Sequence, residues 1–228
     1  MTDYICVLDF EATCWYENSE HEIIEFPSIL LKWDDDQNQI KEVARFQQFV
    51  KPLNNPMVSD FCTELTGITQ NQIDCADDLK SVIEGHFKWI TDVSTKSSTS
   101  VTIVTCGSWD LNKMLPMDLK NISYQPDEFY TRYVNIKELF KIVTGIKGTA
   151  MTKMLDKLKL DIEGRHHSGI DDCHNIARIF IELVKKGLAK QNILDNVQYV
   201  EYGMIRRIPA NKKLLKWTKK LNKGQSKK

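Results

Sequence analysis

The sequence predicts a single mixed α/β domain, one sheet flanked by helices, and three observations carry that expectation. The stretch Tyr4 to Phe10 holds an unbroken apolar run, Ile5-Cys6-Val7-Leu8, and reads as a buried strand. Two more strand-like stretches, Phe26 to Trp33 and Ile40 to Val50, follow it, joined by the turn-like DDDQNQ at 34–39. Beyond them helical spacing dominates, interrupted by a fourth strand at Val101 to Cys106 and a short one at Val134-Asn135-Ile136. Strands first, then helices alternating with strands, describe one α/β unit over 1–201 with a separate basic tail over 202–228.

The elements between the strands follow from local chemistry. Pro52 and Pro56 break the chain, Ser59 caps a short helix, and Gly67 ends it. Leu79, Val82, Ile83, Phe87 and Ile90 recur at helical spacing, so 77–92 is an amphipathic helix, with His86 on its stripe as a packed core histidine. STKSSTS at 94–100 is a polar loop. A helix carrying Leu111, Met114 and Leu115 follows GSWD, and further helices lie near 137–144 and 150–159. Ile176, Ile179, Phe180, Leu183 and Val184 define a helix over 171–186 that Gly187 ends.

Composition narrows the function classes. Hydrophobic content of 42% and charged content of 27% are those of a globular protein. No run approaches the roughly 18 apolar residues of a membrane span, and the N-terminus lacks signal-peptide features, so an intracellular protein of cytoplasm or nucleus is expected, with no membrane partner. The six cysteines are scattered without a CxxC, which favours reduced thiols over a disulfide framework or structural zinc. DDDQNQ starts like a calcium loop, but Gln39 stands where glycine is needed and Arg45 where the last glutamate belongs.

Charge is unevenly placed. The net charge is zero, yet the tail holds ten Lys or Arg and no acid, leaving 21 basic against 31 acidic residues in 1–201. An acidic body with a basic tail suits a polyanionic partner beside a cation-binding site; it also suits a solvated tail.

The acids themselves are ordered along the chain. Asp9 and Glu11 sit two residues apart at the end of the first strand and so share a face. Two carboxylates held together repel unless a cation lies between them, and hard oxygen donors favour Mg²⁺ or Mn²⁺. Asp110 follows the fourth strand, and Asp172 opens a late helix one turn before its buried stripe. His167 precedes Asp172 by five residues, with Gly169 between them to let the backbone bend. Each acid alone is equally consistent with a hydrated strand end or a helix N-terminal charge.

Their order resembles the DEDDh subgroup of the DnaQ-like 3′→5′ exonucleases. DFEATC (9–14), EIIEFPSILL (22–31), SDFCTELTGITQ (59–70), GSWDLNKML (107–115) and HSGIDDCHNIARI (167–179) resemble, within that subgroup, the Eri-type 3′→5′ exoribonucleases. The sequence shows no SAP-like stretch and no zinc-binding appendage of longer members, which leaves the natural substrate open. The resemblance implies a ribonuclease H-like fold with a mixed five-stranded sheet flanked by helices. It implies two Mg²⁺, with Mn²⁺ as a substitute: Asp9, Glu11 and Asp172 hold one ion, and Asp9 bridges to a second supported by Asp110. His167 is the implied general base, and nucleoside 5′-monophosphates are the implied products of attack at a 3′-hydroxyl end.

The same resemblance places Ala12 and Thr13 near the terminal sugar. Phe61 and Trp109 flank the terminal base, and Leu65 and Ile68 meet the penultimate one. The implied partner is RNA with a single-stranded 3′ end or 3′ overhang; some relatives also degrade DNA. Two other readings compete: an RNA-binding module with a weak or vestigial site, and an endonuclease on the same fold. Leu214, Trp217 and Leu221 are spaced for an amphipathic helix in the tail, which suits packing on the domain, a grip on duplex RNA or nuclear import. The oligomeric state is not readable from the residues.

Overall fold

A computed structural model describes residues 3–14, 21–36, 39–94, 100–200 and 202. The basic tail, two residues of the 34–39 turn and most of the 94–100 loop lie outside these described residues. The first strand, β1 (Tyr4–Leu8), is buried along its whole length. It pairs antiparallel with β3 (Ile23–Asp34), which pairs antiparallel with β4 (Gln39–Lys51). On its other side β1 runs parallel to β6 (Val101–Thr105), which runs parallel to β7 (Arg132–Asn135). These strands form the expected five-stranded mixed core, in the order β4-β3-β1-β6-β7.

Three short strands extend it. They are β2 (Glu11–Ala12) against β3, β5 (Asp77–Asp78) beside β4, and β8 (Val197–Tyr199) beside β7. None has an apolar pattern of its own, so pairing with a longer neighbour defines each of them.

Helices cover both faces because the central strands alternate toward two apolar clusters. Ile5, Val7, Ile29, Leu31 and Trp33 pack under α5 (Ile136–Thr144), α6 (Met151–Leu158) and α7 (Gly169–Lys185). Tyr4, Cys6, Leu8, Phe26 and Leu30 pack against α3 (Leu79–Ser94) and α4 (Leu115–Asn121). Each fully buried Leu, Ile or Phe contributes about 1.5–3 kcal/mol, and it is this burial on two faces that makes the sheet a rigid platform.

The smaller elements follow their caps. Helix α1 (Asp60–Thr66) starts where Ser59 Oγ accepts the Cys62 N–H and stops at Gly67, whose φ is +80°. Helices α2 (Gln70–Asp74) and α8 (Lys190–Asp195) complete the set among the described residues.

His86 is the packed core histidine expected from its stripe. It is fully buried in α3, its Nδ1 2.8 Å from Tyr130 Oη and its Nε2 2.9 Å from Ser28 Oγ. Burial pulls its imidazole down to about 3, so it stays neutral in the fold. His86→Ala should therefore lower unfolding free energy by about 2–4 kcal/mol, through a cavity and the loss of the hydrogen bonds to Tyr130 and Ser28, in urea titrations at neutral pH. An unchanged midpoint would remove the structural role.

Candidate active site

Strand parity decides where the acids point. Ile5 and Val7 face the cluster beneath α7, so Asp9 and Glu11, continuing that parity, head toward α7's first turn. Asp172 lies in that turn, 4% exposed, and faces back. Carboxylate oxygens of Asp9, Glu11 and Asp172 all lie within 4.8 Å of one another.

Asp110 joins them from β6, the parallel neighbour of β1. It opens a single π-helical turn, Asp110–Met114, in which the Leu115 N–H reaches back to the Asp110 carbonyl. Asp110 Oδ1 accepts the Phe10 N–H at 3.0 Å, which fixes it beside the end of β1.

Burial first, and mutual repulsion second, set the electrostatics of this cage. Burial, then the charges of Asp110, Glu11, Asp172 and Glu25, hold the Asp9 carboxyl well above its usual range. Burial, then Glu25, Asp172 and Asp110, push Glu11 to about 9. Burial also raises Asp110, against the Phe10 and Asp110 backbone N–H groups and the Lys137 ammonium.

Glu25 is the acid that sequence reasoning missed. It stands directly opposite Glu11 in the β2–β3 pairing and is 2% exposed. Gln47 Nε2 donates to its Oε1 at 2.7 Å, and the Gly169 N–H donates to its Oε2 at 3.1 Å. Glu25 thus clamps the start of α7 onto the sheet while adding negative charge. The nearest signal was the acid breaking the apolar run in EIIEFP, and its partners are far away in sequence.

The residue types fit a hard divalent cation: several carboxylate oxygens converge and, among the described residues, lack enough nearby positive charge to balance them.

Around His167 the structure corrects one detail. The expected bend is not at Gly169 but at His167 itself, whose φ is +67°. Gly169 is needed for space: a Cβ there would lie 2.8 Å from Pro27 Cγ, 2.9 Å from Glu25 Oε2 and 3.1 Å from the Asp9 carbonyl oxygen. The His167 N–H donates to Asp172 Oδ2 at 3.0 Å, which holds the turn. Partial burial and the neighbouring His166 lower the His167 imidazole below its ordinary 6.5. His166 itself contacts Asp172, its Nδ1 3.2 and 3.1 Å from the two carboxylate oxygens.

The residues expected to meet substrate divide by exposure. Trp109 is 54% exposed, unusual for tryptophan, and immediately precedes Asp110. Phe61 and Leu65 are half-buried on α1, whose last turn Arg165 ties to the His167 loop through the Glu64 and Leu65 carbonyls. Ala12 is half-buried and its carbonyl accepts from Cys62 Sγ at 3.6 Å.

Thr13 and Ile68 are buried. Thr13 is 1% exposed; its N–H and carbonyl are engaged by Glu22 and His21, and its hydroxyl accepts the Glu22 N–H at 3.0 Å. Ile68 is 3% exposed and packs with Ile24, Cys62 and Ile73, so Leu65 is the more exposed of the pair.

The raised carboxyls give a signed pH effect. Glu11's folded value exceeds its ordinary 4.5, so without metal the folded state holds an extra proton and stability falls as pH rises toward about 9. Between pH 7 and 9, where His86 is neutral in both states, the melting temperature in EDTA should fall. Added Mg²⁺ should restore several degrees, more at pH 9 than at pH 7. A pH-independent Mg²⁺ increment in differential scanning fluorimetry would show that these carboxylates do not bind the ion.

A family model described as an exonuclease, RNase_T, matches residues 6–180. The chain is 38% identical over 190 residues to mouse 3'-5' exoribonuclease 1, covering 81% of this chain and 54% of that protein. The human protein of the same name is 38% identical over 192 residues, covering 81% and 53%. The chain thus spans about half the length of the curated relatives it matches. Among solved structures, the nuclease domain of 3'hExo, a DEDDh family member bound to rAMP, aligns with TM-score 0.75 and 37% identity, covering 82% of this chain and 94% of that one. A structure of a 3'-exonuclease recognising the histone mRNA stem-loop aligns with TM-score 0.74 and 35% identity, covering 87% and 85%. No helix of the described residues is long and apolar enough to cross a membrane. With its acids gathered at the end of β1 on a ribonuclease H-like sheet, the chain belongs to the exonuclease family that the RNase_T model describes.

Proposed function

We propose that the protein is a metal-dependent 3′→5′ exoribonuclease that shortens single-stranded RNA 3′ ends or 3′ overhangs and releases nucleoside 5′-monophosphates. The observation that carries this reading is the convergence of Asp9, Glu11 and Asp172 within 4.8 Å, with Asp110 and His167 beside them. RNA as the polymer is supported by similarity to a 3'-exonuclease that recognises the histone mRNA stem-loop and to a nuclease domain bound to rAMP; DNA is a second candidate substrate.

In this mechanism Asp9, Glu11 and Asp172 would hold one Mg²⁺, and Asp9 with Asp110 a second, with Mn²⁺ able to replace them. Bound there, the ions would supply activation of the attacking water and neutralisation of the leaving 3′-oxygen. His167 receives the water's proton. Its lowered basicity keeps the imidazole neutral, and so able to accept, throughout the neutral range. Trp109 and Phe61 offer flat faces to the terminal base, each stack worth roughly 1–3 kcal/mol without a sequence requirement. Ala12 lies against the terminal sugar and Leu65 against the next base. The tail's ten basic residues add phosphate affinity that weakens with salt.

The decisive trial uses 5′-labelled single-stranded RNA. Stepwise shortening should require Mg²⁺ and vanish in Asp9→Ala; full activity in EDTA would reject the reading. RNA binding with no hydrolysis under any divalent ion would instead indicate a vestigial binding module.

His167→Ala should lose roughly 10²–10⁴-fold in turnover while still binding Mg²⁺ and RNA. In the wild type the acid limb of the rate profile should lie below pH 6.5, because the His167 value is lowered. A wild-type rate in His167→Ala would assign the base elsewhere.

A further inference from the structure

The loop before α7 carries two consecutive histidines, and only His167 is used by the mechanism. Consecutive side chains ordinarily diverge. Here the left-handed φ of +67° at His167 folds the turn so that both imidazoles lie on one side, rings stacked 3.9 Å apart at 18°. Both meet the same carboxylate. His166 Nδ1 lies 3.1 Å from Asp172 Oδ2, and donor atoms of His166, His167 and Asp172 lie within 4.8 Å of one another.

We propose that His166, His167 and Asp172 form a second, inhibitory metal site, selective for borderline divalent ions such as Zn²⁺. It rests on the exonuclease reading only in sharing Asp172 with the Mg²⁺ cage.

Donor chemistry separates the two sites. Asp9, Glu11 and Asp172 present oxygen alone, which suits Mg²⁺, whereas two imidazoles and one carboxylate suit Zn²⁺, Co²⁺ or Ni²⁺. Zinc bonds to nitrogen and oxygen are about 2.0–2.2 Å, so two donors on one tetrahedral ion stand about 3.3–3.6 Å apart. The 3.1 Å separation of His166 Nδ1 from Asp172 is close to that span. The ion takes the place of the proton shared between them, and that proton leaves to solvent. The stacked rings must splay, because in-plane lone pairs of parallel imidazoles do not converge. The His166 side chain, 43% exposed, has solvent to swing into.

Occupation has two consequences. Asp172 turns away from Asp9 and Glu11, and the His167 lone pair is engaged and cannot accept a proton. One ion therefore removes both a Mg²⁺ ligand and the base, and because the two ions compete for Asp172, raising Mg²⁺ weakens zinc binding.

The test uses the full chain with Zn²⁺ and Co²⁺ as probes. RNA shortening at fixed Mg²⁺ is titrated with Zn²⁺, and each variant is compared with its own zinc-free rate. The zinc midpoint should rise at least tenfold in His166→Ala and in His166→Asn. Equal sensitivity in wild type and both variants would overturn the proposal.

A second arm needs no catalysis. Co²⁺ should give a nitrogen-ligated absorption spectrum that persists in Asp9→Ala and disappears in His166→Ala. Loss of that spectrum in Asp9→Ala, or its survival in His166→Ala, would place the ion in the carboxylate cage and overturn the site. This arm decides even if the chain proves unable to shorten RNA.

Discussion

Mutual repulsion among buried carboxylates is the constraint on which the rest of the structure depends. Asp9, Glu11, Glu25, Asp110 and Asp172 are gathered where β1 ends, and burial penalises the charge of Asp9 and Glu11 before their neighbours act on them. Glu11 and Glu25 even stand directly opposite across a strand pair, an arrangement that destabilises a sheet in isolation. Directed backbone donors oppose this: Phe10 N–H to Asp110, His167 N–H to Asp172, Gly169 N–H to Glu25. Each hydrogen bond to a charged group contributes about 1.5–3 kcal/mol, comparable with the penalty it offsets. A divalent ion held there would supply the remaining compensation, so the same repulsion that costs the fold stability favours binding a cation.

That arrangement demands a stiff surround. The apolar clusters on the two faces of the sheet provide it, with α7 lying on β3 and β1 and delivering Asp172 from its first turn. Close approach at Gly169 leaves no slack between α7 and the strand carrying Asp9. On the opposite face, His86 bridges Tyr130 and Ser28 beneath β3, so the strand that holds Glu25 is anchored by neutral hydrogen bonds as well as apolar contact.

Much of this was legible in the residues, for a physical reason. The apolar run of β1 and the two-residue spacing of Asp9 and Glu11 are local patterns, and strand parity converts them into a shared direction. Ser59 and Gly67 bounded α1 because capping is also local. Glu25 was not legible, since its meaning comes from Gln47 and Gly169, 22 and 144 positions away. Thr13 and Ile68 sit inside matching motifs, yet the fold buries both, Thr13 in hydrogen bonds with Glu22 and His21 and Ile68 in an apolar cluster. The π-turn at Asp110 and the strands of two or three residues arise from tertiary pairing that no propensity encodes.

The turn at His167 shows what a single strained residue can do in such a site. A left-handed non-glycine residue costs of order 1–3 kcal/mol and persists only when its surroundings over-determine it. Here Asp172 does so, accepting from the His167 N–H while facing Asp9 and Glu11 through its carboxylate. One side chain therefore sets both the distance between acids and the placement of the imidazole. Because Asp172 sits in the first turn of α7 and holds the His167 N–H, the cage and the base share one support. The same economy exposes the site, since any ligand that captures Asp172 from the histidine side alters both at once.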